Sequence, residues 1–239
     1  MTVCALVGAT EFNETHFLRQ RFDCIVAVDA GYASLRTIGC NPDVVVGDFD
    51  SLGYVPDAAG CVTRSDGEAP SQAVLRFPSE KDESDMELAI AVTQERGCDT
   101  ILFYGALAAR LDHTLANIQI MVGCARRGLR VFGIGRGFVL AVLDGGGANA
   151  LDFNAFDPSM LDGGEQGRFF SLFAYGGKAR GVVECGMKYP LDAETVSDDV
   201  SLGLSNEFTG NPVHVSLSAG NAVAVFPEGA WYSLVQAEE

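Results

Sequence analysis

Two aspartates that follow a short apolar strand are the chemically most suggestive residues of the chain. The segment 41–51 is N-P-D-V-V-V-G-D-F-D-S, and its three valines predict a strand buried on both faces. Asp48 and Asp50 are expected to point the same way after that strand, while Phe49 points back into the protein. Carboxylates aimed together favour a cation between them, and Mg²⁺ prefers such oxygen ligands. A loop whose aspartates cap the next helix or face water is the alternative.

Other charged or small residues follow further predicted strands in the first half of the chain. They are Asp29 and Gly31; Ser51; Lys81, Asp82 and Asp85; and Arg110, Asp112 and His113. Ligands of open α/β sheets bind at the carboxyl ends of the strands, where these residues are expected. Taken together, the acids and one arginine predict a Mg²⁺–nucleotide site, which phosphoryl-type transfer needs. The sequence contains no G-x-x-x-x-G-K-[ST] and no G-x-G-x-x-G, so ATP would require a different loop arrangement.

Each member of this set also has a simpler explanation. Asp82 and Asp85 lie at a predicted helix start, where carboxylates favour the positive end of the helix dipole. The planar guanidinium of Arg110 matches a phosphate, but it could equally form a surface ion pair with one of many carboxylates. His113 beside a helix start is more often a structural hydrogen-bonding residue than a catalytic base. The functional interpretation therefore depends on the whole set.

The elements that would position these residues alternate between strand and helix. Apolar runs predict strands at 2–7, 24–28, 43–46, 74–77, 100–104 and 129–134. Helices are predicted at 11–21, 32–38, 84–96 and 112–127. The last of these is expected to bury one face, formed by Leu115, Ile118, Met121, Val122 and Ala125. This alternation indicates parallel strands with crossover helices, joined by a long loop at 51–73 that could act as a lid and a tight loop at 105–109.

The helical periodicity disappears after Gly137. Short apolar runs predict strands at 138–143, 169–174, 181–184, 213–217 and 222–226, and no regular element is predicted between 144 and 167. The fold class is therefore α/β, with a Rossmann-like parallel-sheet domain over 1–137 followed by a small all-β sandwich or jelly roll over 138–239.

Composition narrows the class of partner. The chain has 239 residues, 48% of them apolar, and a formal net charge of −16, which argues against nucleic acid and anionic membrane surfaces. Its seven cysteines include no C-x-x-C pair, so neither a disulfide framework nor a zinc site is indicated, and a reducing cytoplasm is expected. No basic n-region precedes an apolar run, and no apolar run reaches about 18 residues, so neither a signal peptide nor a membrane span is expected.

Six short motifs, taken in order, resemble the thiamine pyrophosphokinase family. In the first half they are D-A-G at 29–31, P-D-V-V-V-G-D-F-D-S at 42–51, K-D-E-S-D-M-E-L-A at 81–89 and R-L-D-H-T-L-A-N-I at 110–118. In the second half, G-M-K-Y-P-L at 186–191 and L-S-N-E-F at 204–208 resemble the thiamine-side motif of that family. Each piece alone is weak, but the combination is specific and covers nearly the whole chain.

The resemblance implies a cytoplasmic homodimer that converts ATP and thiamine into thiamine diphosphate and AMP. The thiamine hydroxyl would attack the β-phosphorus, so that a diphosphoryl group moves as one unit. The segment 1–137 would be the ATP- and Mg²⁺-binding catalytic domain, and the β-sandwich over 138–239 would bind thiamine near the subunit interface.

The resemblance also implies roles for individual residues. Asp48, Asp50 and Asp85 would hold Mg²⁺, and Arg110 and Asp112 would contact the nucleotide and its phosphates as part of the catalytic set. Asp29, Ser205 and Asn206 would lie close to thiamine or the rim of the site. The full set of substrate-binding residues would comprise Asp29, Gly31, Ser51, Lys81, Asp82, Ser84, His113, Thr114, Asn117, Ser205 and Asn206.

The chain departs from the family pattern at three places. Ala30 stands where the family usually has glycine, Ala108 and Ala109 replace two glycines before Arg110, and the stretch 144–167 is longer than the family needs. Two alternative functions follow. One is a non-catalytic thiamine- or nucleotide-binding protein, which the retained aspartates oppose. The other is a diphosphokinase for a different alcohol, which the two thiamine-side motifs oppose.

Overall fold

The structure is a computed structural model that describes residues 1–49, 73–77, 84–107, 110–161 and 167–235. Its contacts divide the chain into two compact units, Met1–Asn117 and Ile118–Glu239. This division falls within the helix Leu111–Ala125, earlier than the boundary expected after residue 137. The two units are described separately.

Unit 1 contains a parallel sheet whose strands alternate with helices, as the sequence predicts. The strands are β1 (Val3–Val7), β2 (Cys24–Val28), β3 (Val44–Gly47), β4 (Ala73–Arg76) and β5 (Thr100–Tyr104), in the order β4-β3-β2-β1-β5. The helices are α1 (Glu14–Leu18), α2 (Gly31–Thr37), α3 (Asp85–Glu95) and α4 (Leu111–Ala125). The three valines of β3 are no more than 1% exposed, which confirms a strand buried on both faces.

Two local features fix where helices α2 and α3 begin. A Cβ atom at Gly31 would lie 1.9 Å from the Val7 carbonyl oxygen, so only glycine lets α2 start this close to β1. Helix α3 begins with a capping box, in which the Ser84 hydroxyl accepts from the Glu87 N–H and the Glu87 carboxylate accepts from the Ser84 N–H. The cap immediately precedes Asp85 and so sets the position of that carboxylate.

Unit 2 contains two antiparallel sheets, as the loss of helical periodicity predicts. The first is ordered β6-β7-β14-β9-β12 and the second β8-β13-β10-β11. The strands are β6 (Arg130–Ile134), β7 (Phe138–Asp144), β8 (Ala150–Phe153), β9 (Phe169–Ala174), β10 (Lys178–Cys185), β11 (Leu191–Ser197), β12 (Asn206–Glu207), β13 (Val213–Ser216) and β14 (Asn221–Pro227). The sheets meet through aromatic rings, with Phe153 of β8 in contact with Phe170 of β9 and Phe226 of β14.

Several predicted elements are corrected by the structure. The helix expected over 11–21 is confined to α1, and Leu115, expected on the buried face of α4, is 51% exposed. The segment 144–167, expected to be irregular, contains β8 and a 3-10 helix, Pro158–Met160. The edge strand β11 gave no apolar signal because most of its side chains face solvent, and β12 has only two residues. The proposed lid at 51–73 and the end of the 105–109 loop lie almost entirely outside the described residues.

The described cysteines are free thiols, and most of them are buried. Cys4, Cys24, Cys98 and Cys124 are buried free thiols, whereas Cys185 is exposed. In the part of the chain that the structure describes, each helix is too short or too polar to cross a membrane.

Candidate active site

Three carboxylates converge at one end of the parallel sheet. Asp29 follows β2, Asp48 follows β3, and Asp85 is the first residue of α3. One oxygen from each lies within 4.8 Å of the others, and all three side chains are half-buried. The structure thus brings together three of the acids that the sequence places after separate strands.

The backbone at this site adopts conformations that are uncommon for residues other than glycine. Asp29 has φ +47° and Phe49 has φ +65°, both in the left-handed region. The Asp29 N–H donates to the Val46 carbonyl at 2.9 Å, and the Phe49 N–H lies 3.4 Å from Asp29 Oδ1. Phe49 is only 3% exposed, which confirms that it points into the protein. Its buried ring holds the turn that presents Asp48.

The cluster is electrostatically suited to a cation. Burial, followed by the nearby Asp85 carboxylate and then Asp48, raises the pKa of Asp29 to about 7. A divalent ion among these oxygens would stabilise the ionised form of Asp29 against both the burial and the repulsion that raise its pKa. The donor set consists only of carboxylate oxygens, which suits Mg²⁺ better than softer metals.

The structure groups the acids differently from the family resemblance. The resemblance implied that Asp29 lies close to thiamine or the rim of the site and that Asp50 joins Asp48 and Asp85, whereas the structure brings Asp29 to Asp48 and Asp85. Asp29 follows a buried strand, which is why the sequence places it among the residues expected at strand ends. Four expected site residues lie outside the described residues: Asp50, Ser51, Lys81 and Asp82.

Arg110 and Asp112 form an exposed ion pair with each other. Arg110 Nη2 lies 2.6 Å from Asp112 Oδ2, and both side chains are about two-thirds exposed. Their contact raises the pKa of Arg110 and lowers the pKa of Asp112. This is the surface ion pair that the sequence left open as an alternative. An exposed pair is weakly held, so the guanidinium can exchange its partner for a phosphate.

Helix α4 connects the remaining residues of this motif to the loop after β5. The Asn117 side-chain amide donates to the Ala106 carbonyl at 2.8 Å, which ties the helix to that loop. His113 is exposed, and the Thr114 N–H donates to the Arg110 carbonyl within the first turn. Asn117 therefore holds the start of the loop after β5 at Ala106, rather than presenting its amide to solvent.

The two motifs of the second half lie side by side in unit 2. Met187 and Phe208 form a β-bridge, and the Lys188 N–H donates to the Glu207 carbonyl at 3.0 Å. Lys188 Nζ lies 2.6 Å from Glu207 Oε1 and 5.1 Å from the centre of the Tyr189 ring. Tyr189 is 56% exposed, so the joined motifs present an aromatic surface to solvent.

Asn206 and Ser205 occupy different positions within this paired segment. Ser205 is exposed and left-handed, with φ +59°, and its N–H donates to the Ser171 hydroxyl. Asn206 is only 4% exposed and hydrogen-bonds to Tyr189, Glu207 and Glu184. Sequence reasoning did not single out Glu184. The sequence did contain a signal for its burial. Glu184 lies two residues after Val182 in a predicted strand, so the two side chains point to the same face.

The chain is a mixed α/β protein, and carboxylates at the carboxyl ends of parallel strands are typical of α/β proteins that bind ligands there. Residues 16–133 match the model of the thiamin pyrophosphokinase catalytic domain, and residues 160–221 match that of the thiamin pyrophosphokinase vitamin B1 binding domain. The chain belongs to the thiamin pyrophosphokinase family.

Individual relatives agree with this family. A thiamine pyrophosphokinase of Bacillus subtilis is 24% identical over 202 residues, which are 84% of this chain and 85% of that protein. The crystal structure of a Bacillus subtilis thiamine pyrophosphokinase has the same fold, with a TM-score of 0.74 at 20% identity, covering 95% of this chain and 99% of that one. A thiamin pyrophosphokinase from Geobacillus thermodenitrificans gives a TM-score of 0.71 at 26% identity, with 95% and 98% covered.

Proposed function

We propose that the chain is a thiamine diphosphokinase, which transfers the diphosphoryl group of ATP to the thiamine hydroxyl and releases AMP. The observation that carries the proposal is the cluster of Asp29, Asp48 and Asp85, which lies within the stretch that matches the catalytic-domain model. Transfer of a diphosphoryl group needs concentrated positive charge around phosphate oxygens. A chain with a net charge of −16 can supply that charge locally through a bound cation.

In this proposal the three carboxylates hold Mg²⁺, with Asp50 as a further ligand expected from the sequence. The bound ion would neutralise phosphate charge and orient the diphosphoryl group. Arg110 would exchange its exposed contact with Asp112 for a phosphate oxygen, since its planar fork matches that group. Asn117 would keep the loop after β5 in place for the nucleotide.

We assign thiamine recognition to the two motifs of unit 2, at 186–191 and 204–208. Both lie within the stretch that matches the vitamin B1 binding domain. Tyr189 and Ser205 are the exposed groups there that an aromatic, cationic substrate could use. We interpret the parallel sheet as a Rossmann-like nucleotide-binding layer and the two antiparallel sheets as a vitamin-binding sandwich. A homodimer and a cytoplasmic location stay predictions.

The direct test is AMP release from ATP and Mg²⁺, measured with and without thiamine, together with mass detection of thiamine diphosphate. We expect thiamine-dependent AMP and the diphosphate product. Asp48→Asn should lower this activity at least about 100-fold, because it removes one charge from the cluster. Glu95→Gln is the matched control, since Glu95 is exposed at the far end of α3. Thiamine binding without any AMP would instead indicate a non-catalytic binding protein.

A further inference from the structure

Glu184 is a carboxylate inside the apolar core of unit 2. It lies on β10, where Val182 and Glu184 point inward while Cys185 points to solvent, and it is only 1% exposed. Its neighbours across the sheet are Leu191 on β11 and Val215 on β13. An acid in such surroundings costs stability unless its oxygens are paired.

Only one of its two oxygens is paired in the part of the chain that the structure describes. Glu184 Oε2 accepts from the Asn206 amide at 2.6 Å, whereas Oε1 is buried and has no hydrogen-bond partner among those residues. A leucine of similar size would avoid this cost, so packing alone does not explain a glutamate here.

The Asn206 side chain uses its full hydrogen-bonding capacity. Its Nδ2 donates to Glu184 Oε2 and to the Tyr189 carbonyl at 2.7 Å, and its Oδ1 accepts from the Tyr189 and Glu207 N–H groups at 2.9 Å each. A primary amide has two donor hydrogens and one oxygen with two lone pairs, so no group remains for a ligand. Asn206 therefore acts on a substrate only by holding the backbone of Tyr189 and Glu207.

Glu184 adds a fourth hydrogen bond that holds the Asn206 amide in the orientation set by its three bonds to the backbone of Tyr189 and Glu207. If the amide were reversed, its oxygen would face the Glu184 carboxylate and its N–H groups would face the two backbone N–H groups. An ionised carboxylate excludes that orientation because it can only accept. In this orientation Asn206 holds the backbone of Tyr189, and it directly follows Ser205, whose left-handed backbone needs support from its neighbours.

We propose that Glu184 is a positioning residue for the vitamin substrate: through Asn206 it holds the segments that present Tyr189 and Ser205. This inference rests on the proposed function, because the substrate it concerns is thiamine. A purely structural role would affect the fold or both substrates equally. A positioning role affects the Michaelis constant (KM) of thiamine and leaves that of ATP unchanged.

The test compares Glu184→Leu with Glu184→Gln. The leucine variant keeps the volume and loses the acceptor, while the glutamine variant keeps an oxygen for the Asn206 amide. We expect Glu184→Leu to raise the KM for thiamine at least tenfold, with the KM for ATP within twofold and a melting temperature no lower than that of the wild type. Glu184→Gln should stay within about threefold of the wild type for both substrates. Glu194→Gln, on the exposed face of β11, is the matched control.

A second measurement keeps the inference testable if Glu184→Leu folds poorly. Asn206→Ala should raise the KM for thiamine, and Glu184→Ala, which removes the acceptor, should raise it in the wild type but add nothing in that background, because Glu184 acts through Asn206. An unchanged thiamine KM in Glu184→Leu, or an equal rise for ATP, would overturn the inference while leaving the proposed function intact. Failure of the wild type to form thiamine diphosphate would overturn the proposed function. In that case, calorimetry would compare the thiamine affinity of the wild type with that of Glu184→Leu. Weaker binding by Glu184→Leu would support the positioning role. Equal affinities, or no binding by either protein, would reject that role.

Discussion

The Asp29 carboxylate occupies the space that a side chain at Gly47 would need. A Cβ atom built on Gly47 would lie 2.0 Å from Asp29 Oδ1 and 2.9 Å from the carboxyl carbon. The last residue of β3 is therefore glycine because the carboxylate from the neighbouring strand end passes directly over it. This close approach is what lets Asp29 join Asp48 and Asp85.

Replacing Gly47 with alanine should displace Asp29 and damage both catalysis and folding. We expect thiamine-dependent AMP release to fall about 100-fold, since a shift of about 1 Å in a catalytic group can cost that much. The melting temperature should also fall, because Gly47 has φ +159°, which residues with a side chain rarely adopt, and its Cβ would lie 3.3 Å from the Asp29 backbone nitrogen. Gly123→Ala in α4, where a Cβ meets only ordinary contacts, is the control. Unchanged activity in Gly47→Ala would show that the position of Asp29 does not matter for catalysis.

Removal of Asp85 should abolish stabilisation by Mg²⁺. A ligand that binds the folded state raises the melting temperature as its concentration exceeds its dissociation constant. We expect millimolar Mg²⁺ to raise the melting temperature of the wild type and of Glu95→Gln, but not that of Asp85→Asn. Without Mg²⁺, Asp85→Asn should be at least as stable as the wild type, because Asp85 contributes to the raised pKa of Asp29. Equal Mg²⁺ shifts in all three proteins would contradict the metal assignment.

The sequence predicts the strands and turns around the site better than it predicts which residues come together in the site. The pattern of apolar residues predicts burial directly, and the structure confirms it here. A strand buried on both faces contains Val44, Val45 and Val46, and the Phe49 side chain points into the protein. The grouping of Asp29 with Asp48 and Asp85 depends on the order β3-β2-β1 and on backbone conformations that only the folded chain shows. Sequence spacing cannot supply either.

Two other differences have equally specific physical causes. Leu115 fits the apolar stripe of α4, yet half of it is exposed, since periodicity does not tell which turns of a helix are covered. Glu184 was missed because a single acid in an apolar run is normally placed at the surface. Its partner Asn206 lies 22 residues further along the chain, and only the fold brings the two together.

Acid should destabilise unit 1 through His16. This residue is fully buried, its Nδ1 lies 2.9 Å from the Tyr104 hydroxyl, and burial, with a smaller effect of Arg19, lowers its pKa to about 4. The unfolded chain, with a histidine pKa of about 6.5, binds the proton more tightly than the folded one. The associated stability is therefore present above pH 6.5 and is lost as the pH falls towards 4.

Comparison with His16→Gln isolates this contribution. Between pH 7 and pH 4 the unfolding free energy of the wild type should fall by roughly 3 kcal/mol more than that of the variant, following 1.36 kcal/mol per pKa unit. Denaturant titrations at several pH values would measure the difference. Parallel curves for the two proteins would show that another group dominates the acid response.

Loss of the Asn117 amide should weaken nucleotide use specifically. Asn117→Ala removes the hydrogen bond to the Ala106 carbonyl and should cost about 1 kcal/mol of stability. Because this bond holds the loop that leads to Arg110, we expect the KM for ATP to rise several-fold while the KM for thiamine stays within twofold. Gln119→Ala is the control, since Gln119 is exposed on the same helix. If Asn117→Ala loses stability without any change in the KM for ATP, Asn117 has only a structural role.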